Sequence, residues 1–147
     1  MELSQDLNEL LELFLSRQVR FIVVGAHALA FHGVPRFTGD LDLLVEPGDQ
    51  NARRMLDALS DFGFGGLGLT ERDFTTPDQV IQLGNPPSRV DILTSITGVT
   101  WQEAEEGAVN GELGSASVPF LGRSELVRNK RAAGRTRDLA DLERLGE

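Results

Sequence analysis

Cysteine and tyrosine are absent from the 147 residues of this chain, and tryptophan and lysine each occur once. Without cysteine there are no disulfides and no thiolate ligands, so a metal centre would need oxygen or imidazole donors. The two histidines, His27 and His32, have no further metal ligands at suitable spacing and are read as ordinary residues, unless His27, close to Gly25 in the chain, touches a ligand there. No apolar run reaches the roughly 18 residues that a membrane-crossing helix requires. The opening Met1-Glu2-Leu3-Ser4-Gln5-Asp6 is acidic and unlike a secretory signal, so the expected compartment is the cytoplasm and no membrane partner is expected. Positive charge is also short. A formal net charge of −9 argues against nonspecific wrapping of nucleic acid, which depends on Lys and Arg neutralising phosphates.

What remains is a chain of one-domain length, residues 1–147, able to bury a real core. Ser4 is placed to cap a helix whose Leu7, Leu10, Leu11, Phe14 and Leu15 recur at helical spacing. Val19 to Val24 is a nearly continuous apolar run, the mark of a strand buried on both faces. It ends at Gly25, and Ala26 to Phe31 reads as a short helix closed by His32-Gly33. A helix from Asp49 or Gln50 carries Ala52, Met55, Leu56 and Leu59 as its buried stripe. Gly63 to Gly68 satisfies G-x-G-x-x-G, but a helix precedes it where a dinucleotide fingerprint needs a strand, so a flexible connection is expected.

Further on, Asp73 to Pro77 reads as a polar turn, and Val80–Leu83 and Arg89–Thr94 as the arms of a hairpin around Gly84-Asn85-Pro86-Pro87. Trp101 to Gly107 reads as a short acidic helix, with Trp101 as core or rim. Asn110-Gly111 and Gly114 read as turns, and Ser117 to Phe120 as an edge strand that tolerates Pro119. Helices are expected from Ser124 to Ala133 and, capped by Thr136, through Leu139, Leu142 and Leu145.

The chemistry concentrates in Thr38-Gly39-Asp40-Leu41-Asp42-Leu43-Leu44-Val45. On a strand, Asp40 and Asp42 project to one side and Leu41, Leu43 and Val45 to the other. Two like charges so placed repel, and a hard divalent cation would relieve them. The plainer alternative is a pair of acids at the solvated end of an edge strand. Gly25, between strand and helix, permits close backbone approach to a phosphate, although a plain tight turn needs glycine equally. Asp91 is an acid in an apolar strand and requires a cation, either a metal shared with Asp40 and Asp42 or a neighbouring arginine. Residues 123–137 hold six basic side chains against Glu125 alone, a patch suited to a triphosphate or an RNA end unless it is simply a solvated helix face. Lys130, the sole lysine, stands within it, where a compact ammonium would serve in place of an arginine fork.

Taken together, Val23 to Gly33, Arg36, Thr38, Asp40 to Val45, Arg89 to Leu93 and Lys130 to Leu142 resemble the minimal nucleotidyltransferases related to the abortive-infection type-E toxins of toxin-antitoxin systems. The resemblance implies an α/β (α+β) nucleotidyltransferase fold, a small mixed β-sheet flanked by α-helices, forming a single domain over 1–147. It implies NTP as substrate, bound at Gly25, Ala26, Arg36 and Thr38 and gripped by Lys130 and Arg135, with Asp138 orienting them. Asp40, Asp42 and Asp91 would be the catalytic acids and the ligands of one or two Mg2+ ions, Asp91 also drawing the proton from the attacking hydroxyl. The acceptor would be a tRNA or a protein, and the partner a cognate antitoxin or toxin. Where many members have Gly-Gly or Gly-Ser, this chain has Gly25-Ala26, so a serine hydroxyl that could touch phosphate is missing. Two other readings stand beside it. One is a catalytically inactive nucleotide- or protein-binding module of the same fold. The other takes Asp-x-Asp as the site of a glycosyltransferase or aspartate-based phosphatase, the former needing a larger domain and the latter Thr or Val where Leu44 stands.

Overall fold

The first helix, α1 (Gln5–Ser16), begins where Ser4 Oγ accepts from Leu7 N at 3.3 Å, and it buries Leu7, Leu10, Leu11 and Phe14. In the computed structural model, which describes residues 3–36 and 38–147, this apolar stripe enters the same core as the sheet. Then follow β1 (Phe21–Val24), α2 (Gly25–Phe31), β2 (Asp40–Val45), α3 (Asp49–Leu59) and α4 (Glu71–Thr75). A hairpin of β3 (Val80–Leu83) and β4 (Arg89–Leu93) leads to α5 (Trp101–Gly107), a second hairpin of β5 (Val109–Leu113) and β6 (Ala116–Phe120), and the helix pair α6 (Arg123–Ala133) and α7 (Thr136–Arg144).

The six strands form one mixed sheet in the order β3-β4-β2-β1-β6-β5. Central β1 is buried along its whole length, as its unbroken apolar run predicts, and it pairs antiparallel to β2 and parallel to β6. β2 in turn pairs parallel to β4, with Asp40 opposite Arg89 and Asp42 opposite Asp91. Leu41, Leu43 and Val45 are fully buried, so the hydrophobic side of β2 fixes the register and sends both aspartates the other way. At the far end of these strands the buried Asn51 of α3 ties the sheet together. Arg20 N donates to its Oδ1 at 2.7 Å, and its Nδ2 donates to Arg20 O and Glu46 O at 3.0 and 3.1 Å.

Five local expectations are corrected. Asn110-Gly111 is not a turn: both residues lie in β5, and β5, not the proline-bearing β6, is the edge strand. The glycine is there because a Cβ at Gly111 would collide with Phe31, whose ring stacks on Phe120 at 4.3 Å. Pro119 is tolerated one strand further in because the ladder to β1 is registered only at Phe120. Residues 73–77 are partly helical: Thr70 N donates to Asp73 Oδ2 at 2.7 Å, a capping box that starts α4 and lets Phe74 plug the core. Gly63 to Gly68 is a set of irregular helical turns continuing α3, with Gly63 and Gly68 at φ 109° and 72° where the path changes direction. Finally, the cap of α7 is at Arg135, whose N–H donates to Asp138 Oδ2 at 3.1 Å, with Thr136 inside the helix. Among the described residues no helix is long and apolar enough to cross a membrane.

Candidate active site

The strand ends carrying Val24, Asp42 and Asp91 open on a cleft of ≈ 820 Å³ walled on its other side by α6 and α7. All nine residues singled out from the sequence, Gly25, Ala26, Arg36, Thr38, Asp40, Asp42, Asp91, Lys130 and Arg135, line it. Such convergence needs the topology. β2 and β4 must be parallel neighbours for Asp42 and Asp91 to share a rung, and α6 and α7 must fold back over the sheet to bring their basic residues across.

Gly25 sits at φ +68°, a left-handed conformation costly for any residue with a side chain. Its missing Cβ also leaves the space filled by Asp42: a methyl there would collide with Asp42 Oδ2. The glycine thus admits a carboxylate of the neighbouring strand as well as leaving the backbone open to the cleft. Burial, reinforced by the charges of Asp91 and Asp40, pushes the Asp42 carboxyl up to about 6, while Arg89 and Arg137 pull the other way. Thr38 sets the entry to β2, its hydroxyl accepting from Asp40 N at 3.1 Å.

Asp91 is buried, and the arginine foreseen as one of its two possible partners is Arg89, on the same face of β4. Arg89 Nε donates to Asp91 Oδ1 at 2.9 Å and Nη2 to Oδ2 at 3.1 Å, and Nε lies 3.7 Å from Asp40 Oδ1. The guanidinium therefore spans two of the three acids. Hard carboxylate oxygens on adjoining strands are the right donors for Mg2+, and the cost of ionising Asp42 marks a place where a cation would be favourable. As the side chains stand, however, no three acidic or histidine residues among those described are gathered closely enough to enclose an ion.

Across the cleft, Lys130 is 9% exposed and its Nζ lies 3.3 Å from Asp138 Oδ1 and 3.0 Å from Asp141 Oδ2. Arg135 Nε donates to Asp138 Oδ2 at 2.7 Å, and Arg36 reaches in from the β1–β2 connection to pair with Asp141. Burial would raise the Asp138 carboxyl, but hydrogen bonds from Arg135 and Lys130 outweigh it and hold the group at about 2. The ammonium of Lys130 is thus engaged by two carboxylates and locks α6 to α7. Arg137, overlooked as a site residue, also lines the cleft; it is exposed, and among the described residues no acid pairs with it. Its signal was its place in the basic run one residue before the buried Asp138. His27 is buried outside the cleft, with burial holding its imidazole below the ordinary value, and Trp101 also lies elsewhere.

No family model matches the chain, and no curated protein matches its sequence. The structure is similar to that of a crystallised protein from Thermotoga maritima described as a "putative nucleotidyltransferase", with a TM-score of 0.62 over 94% of this chain and 88% of that one at 15% identity. The fold is a nucleotidyltransferase fold. At this identity the likeness speaks for the fold alone. Within the nucleotidyltransferase fold of this chain, the acid cluster occupies β2 and β4, and the basic wall belongs to α6 and α7.

Proposed function

We propose that the chain is a Mg2+-dependent nucleotidyltransferase that moves a nucleoside monophosphate from an NTP to a hydroxyl of a tRNA or protein, as one component of a toxin-antitoxin pair. The observation that carries this reading is the single cleft in which Asp40, Asp42 and Asp91 face the basic residues Arg135 and Arg137 beside Gly25. The resemblance of its motifs to the type-E family adds support, as does the nucleotidyltransferase fold.

Asp40, Asp42 and Asp91 would hold the magnesium, one ion or two, which when bound supplies charge stabilisation to the α-phosphate and the leaving pyrophosphate. Arg135 and Arg137 would donate to phosphate oxygens, with Arg135 steadied by Asp138. The open backbone at Gly25-Ala26 would let the phosphates lie close to the sheet. Asp91 would accept the proton of the attacking hydroxyl as the new P–O bond forms and the bond to pyrophosphate breaks.

One observation favours the second reading, a catalytically inactive nucleotide- or protein-binding module: both oxygens of Asp91 already accept from Arg89. Incubation with each α-labelled NTP, Mg2+ and a cell extract separates the two. Transfer of label to RNA or protein, lost in Asp42→Asn, is the expected result. Binding of NTP without pyrophosphate release, whatever acceptor is supplied, would establish the inactive module in its place.

A further inference from the structure

Arg89 is the group in the cleft whose position the proposed reaction does not require. It faces Asp40 across the β2–β4 rung, two residues from Asp91 on the same strand face. Its fork engages both oxygens of Asp91, and the same Nε leans toward Asp40. Neutralisation alone would need only one point charge near the three acids. The bidentate geometry instead fixes the rotamer of Asp91 and directs its lone pairs at the guanidinium. With its side chain 28% exposed and lining the cleft, Arg89 has space into which the fork can turn.

We propose that Arg89 is the resident cation of this acid cluster and competes with a divalent metal ion for Asp91. The inference rests on the reading that the cluster binds metal. A metal ion bound through Asp91 and Asp40 would stand within a few ångströms of the guanidinium, and two cations so close repel strongly. Metal therefore enters as the fork lets go, and the pair sets the apparent metal affinity: the tighter the fork, the more metal is needed. In the metal-free protein the guanidinium offsets part of the charge of Asp91 and Asp40, which eases the packing of carboxylates on this strand pair without an ion.

The test uses Mn2+ as probe, titrated into the full chain without nucleotide and followed by the electron paramagnetic resonance of the free ion. Wild type, Arg89→Met, Arg89→Lys and Asp91→Asn are compared, with urea midpoints to verify folding. The expected result is at least tenfold tighter Mn2+ binding by Arg89→Met, an intermediate value for Arg89→Lys, which keeps the charge but loses the fork, and weakened binding by Asp91→Asn. Saturable Mn2+ binding that is equal or weaker in both Arg89 variants overturns the competition and leaves the metal reading intact. No saturable binding in any variant overturns both.

Discussion

Gly25 and Asp42 are fitted to each other: the Asp42 carboxylate occupies the volume that a side chain at Gly25 would need, and the glycine is held at φ +68°. Gly25→Ala meets two penalties at once, left-handed strain of about 1–2 kcal/mol and a collision that displaces Asp42. Gly33, at φ +101° with nothing near its Cβ position, supplies the control. Gly33→Ala should lose stability by strain alone and keep nucleotide binding, whereas Gly25→Ala should lose more stability and its nucleotide affinity. Equal effects of the two substitutions in urea unfolding and nucleotide titration would show that Asp42 does not depend on that vacancy.

The Asp42 carboxyl, raised to about 6 by burial and by Asp91 and Asp40, binds its proton more tightly in the folded chain than in the unfolded one. Linkage then makes the contribution of Asp42 to stability fall as pH rises from about 4 to about 6, by on the order of 3 kcal/mol. Asp42→Asn should remove that dependence and raise stability at pH 7. Urea unfolding at a series of pH values checks this, and identical profiles for the two proteins would be inconsistent with a strained carboxylate.

Two regularities legible in the chain foreshadowed the acid side of the cleft. Alternation along β2 and β4 assigns faces to Asp40, Asp42, Arg89 and Asp91, and the uninterrupted apolar run of β1 marks the sheet centre. What was not legible depended on contacts between distant segments. Gly111 looked like a turn residue because its partner, Phe31, is far away in sequence. Arg89 and Lys130 each have several candidate partners in a chain with 23 acidic residues, and only the fold decides which acids they meet. Pattern reveals the direction in which a side chain points; what stands opposite it comes from tertiary packing.

Lys130 illustrates the difference in energy. Removing the buried ammonium leaves Asp138 with Arg135 and Asp141 with Arg36, so Lys130→Met should lose about 1.5–3 kcal/mol, the range for hydrogen bonds to charged groups. Lys130→Arg should rescue only part of this, since a planar fork presents its charge and donors in a different geometry from an ammonium. The depressed Asp138 carboxyl adds a pH signature: its stabilisation is complete above about 4 and is lost as pH falls toward about 2. Acid unfolding monitored by circular dichroism, with Asp138→Asn flattening that part of the curve, is the check.

Asn51 lies at the opposite end of β1 and β2 from the cleft and satisfies three backbone groups. Asn51→Leu keeps the volume and leaves Arg20 N and Glu46 O without that partner, while Arg20 O still accepts from Glu46 N, at about 1–3 kcal/mol for each group that water does not reach. The expected outcome is a lower urea midpoint with unchanged nucleotide affinity. A changed affinity would indicate that strain at this end travels along the strands to Asp42.

Arg137 is the counterpart of Lys130, a cation in the same cleft with no structural duty among the described residues. Its guanidinium lies close enough to Asp42 to lower that carboxyl, and it is exposed. Arg137→Ala should therefore leave the urea midpoint within about 0.5 kcal/mol of wild type, as for other surface substitutions. If the guanidinium donates to a phosphate, NTP binding should weaken by about 1.5–3 kcal/mol, the range for hydrogen bonds to charged groups, and the loss should shrink at high salt. Isothermal titration with an NTP, repeated with the nucleoside alone, isolates the phosphate part: the nucleoside should bind both proteins equally. An unchanged NTP affinity in Arg137→Ala would remove Arg137 from the basic wall and leave Arg135 as its exposed cation.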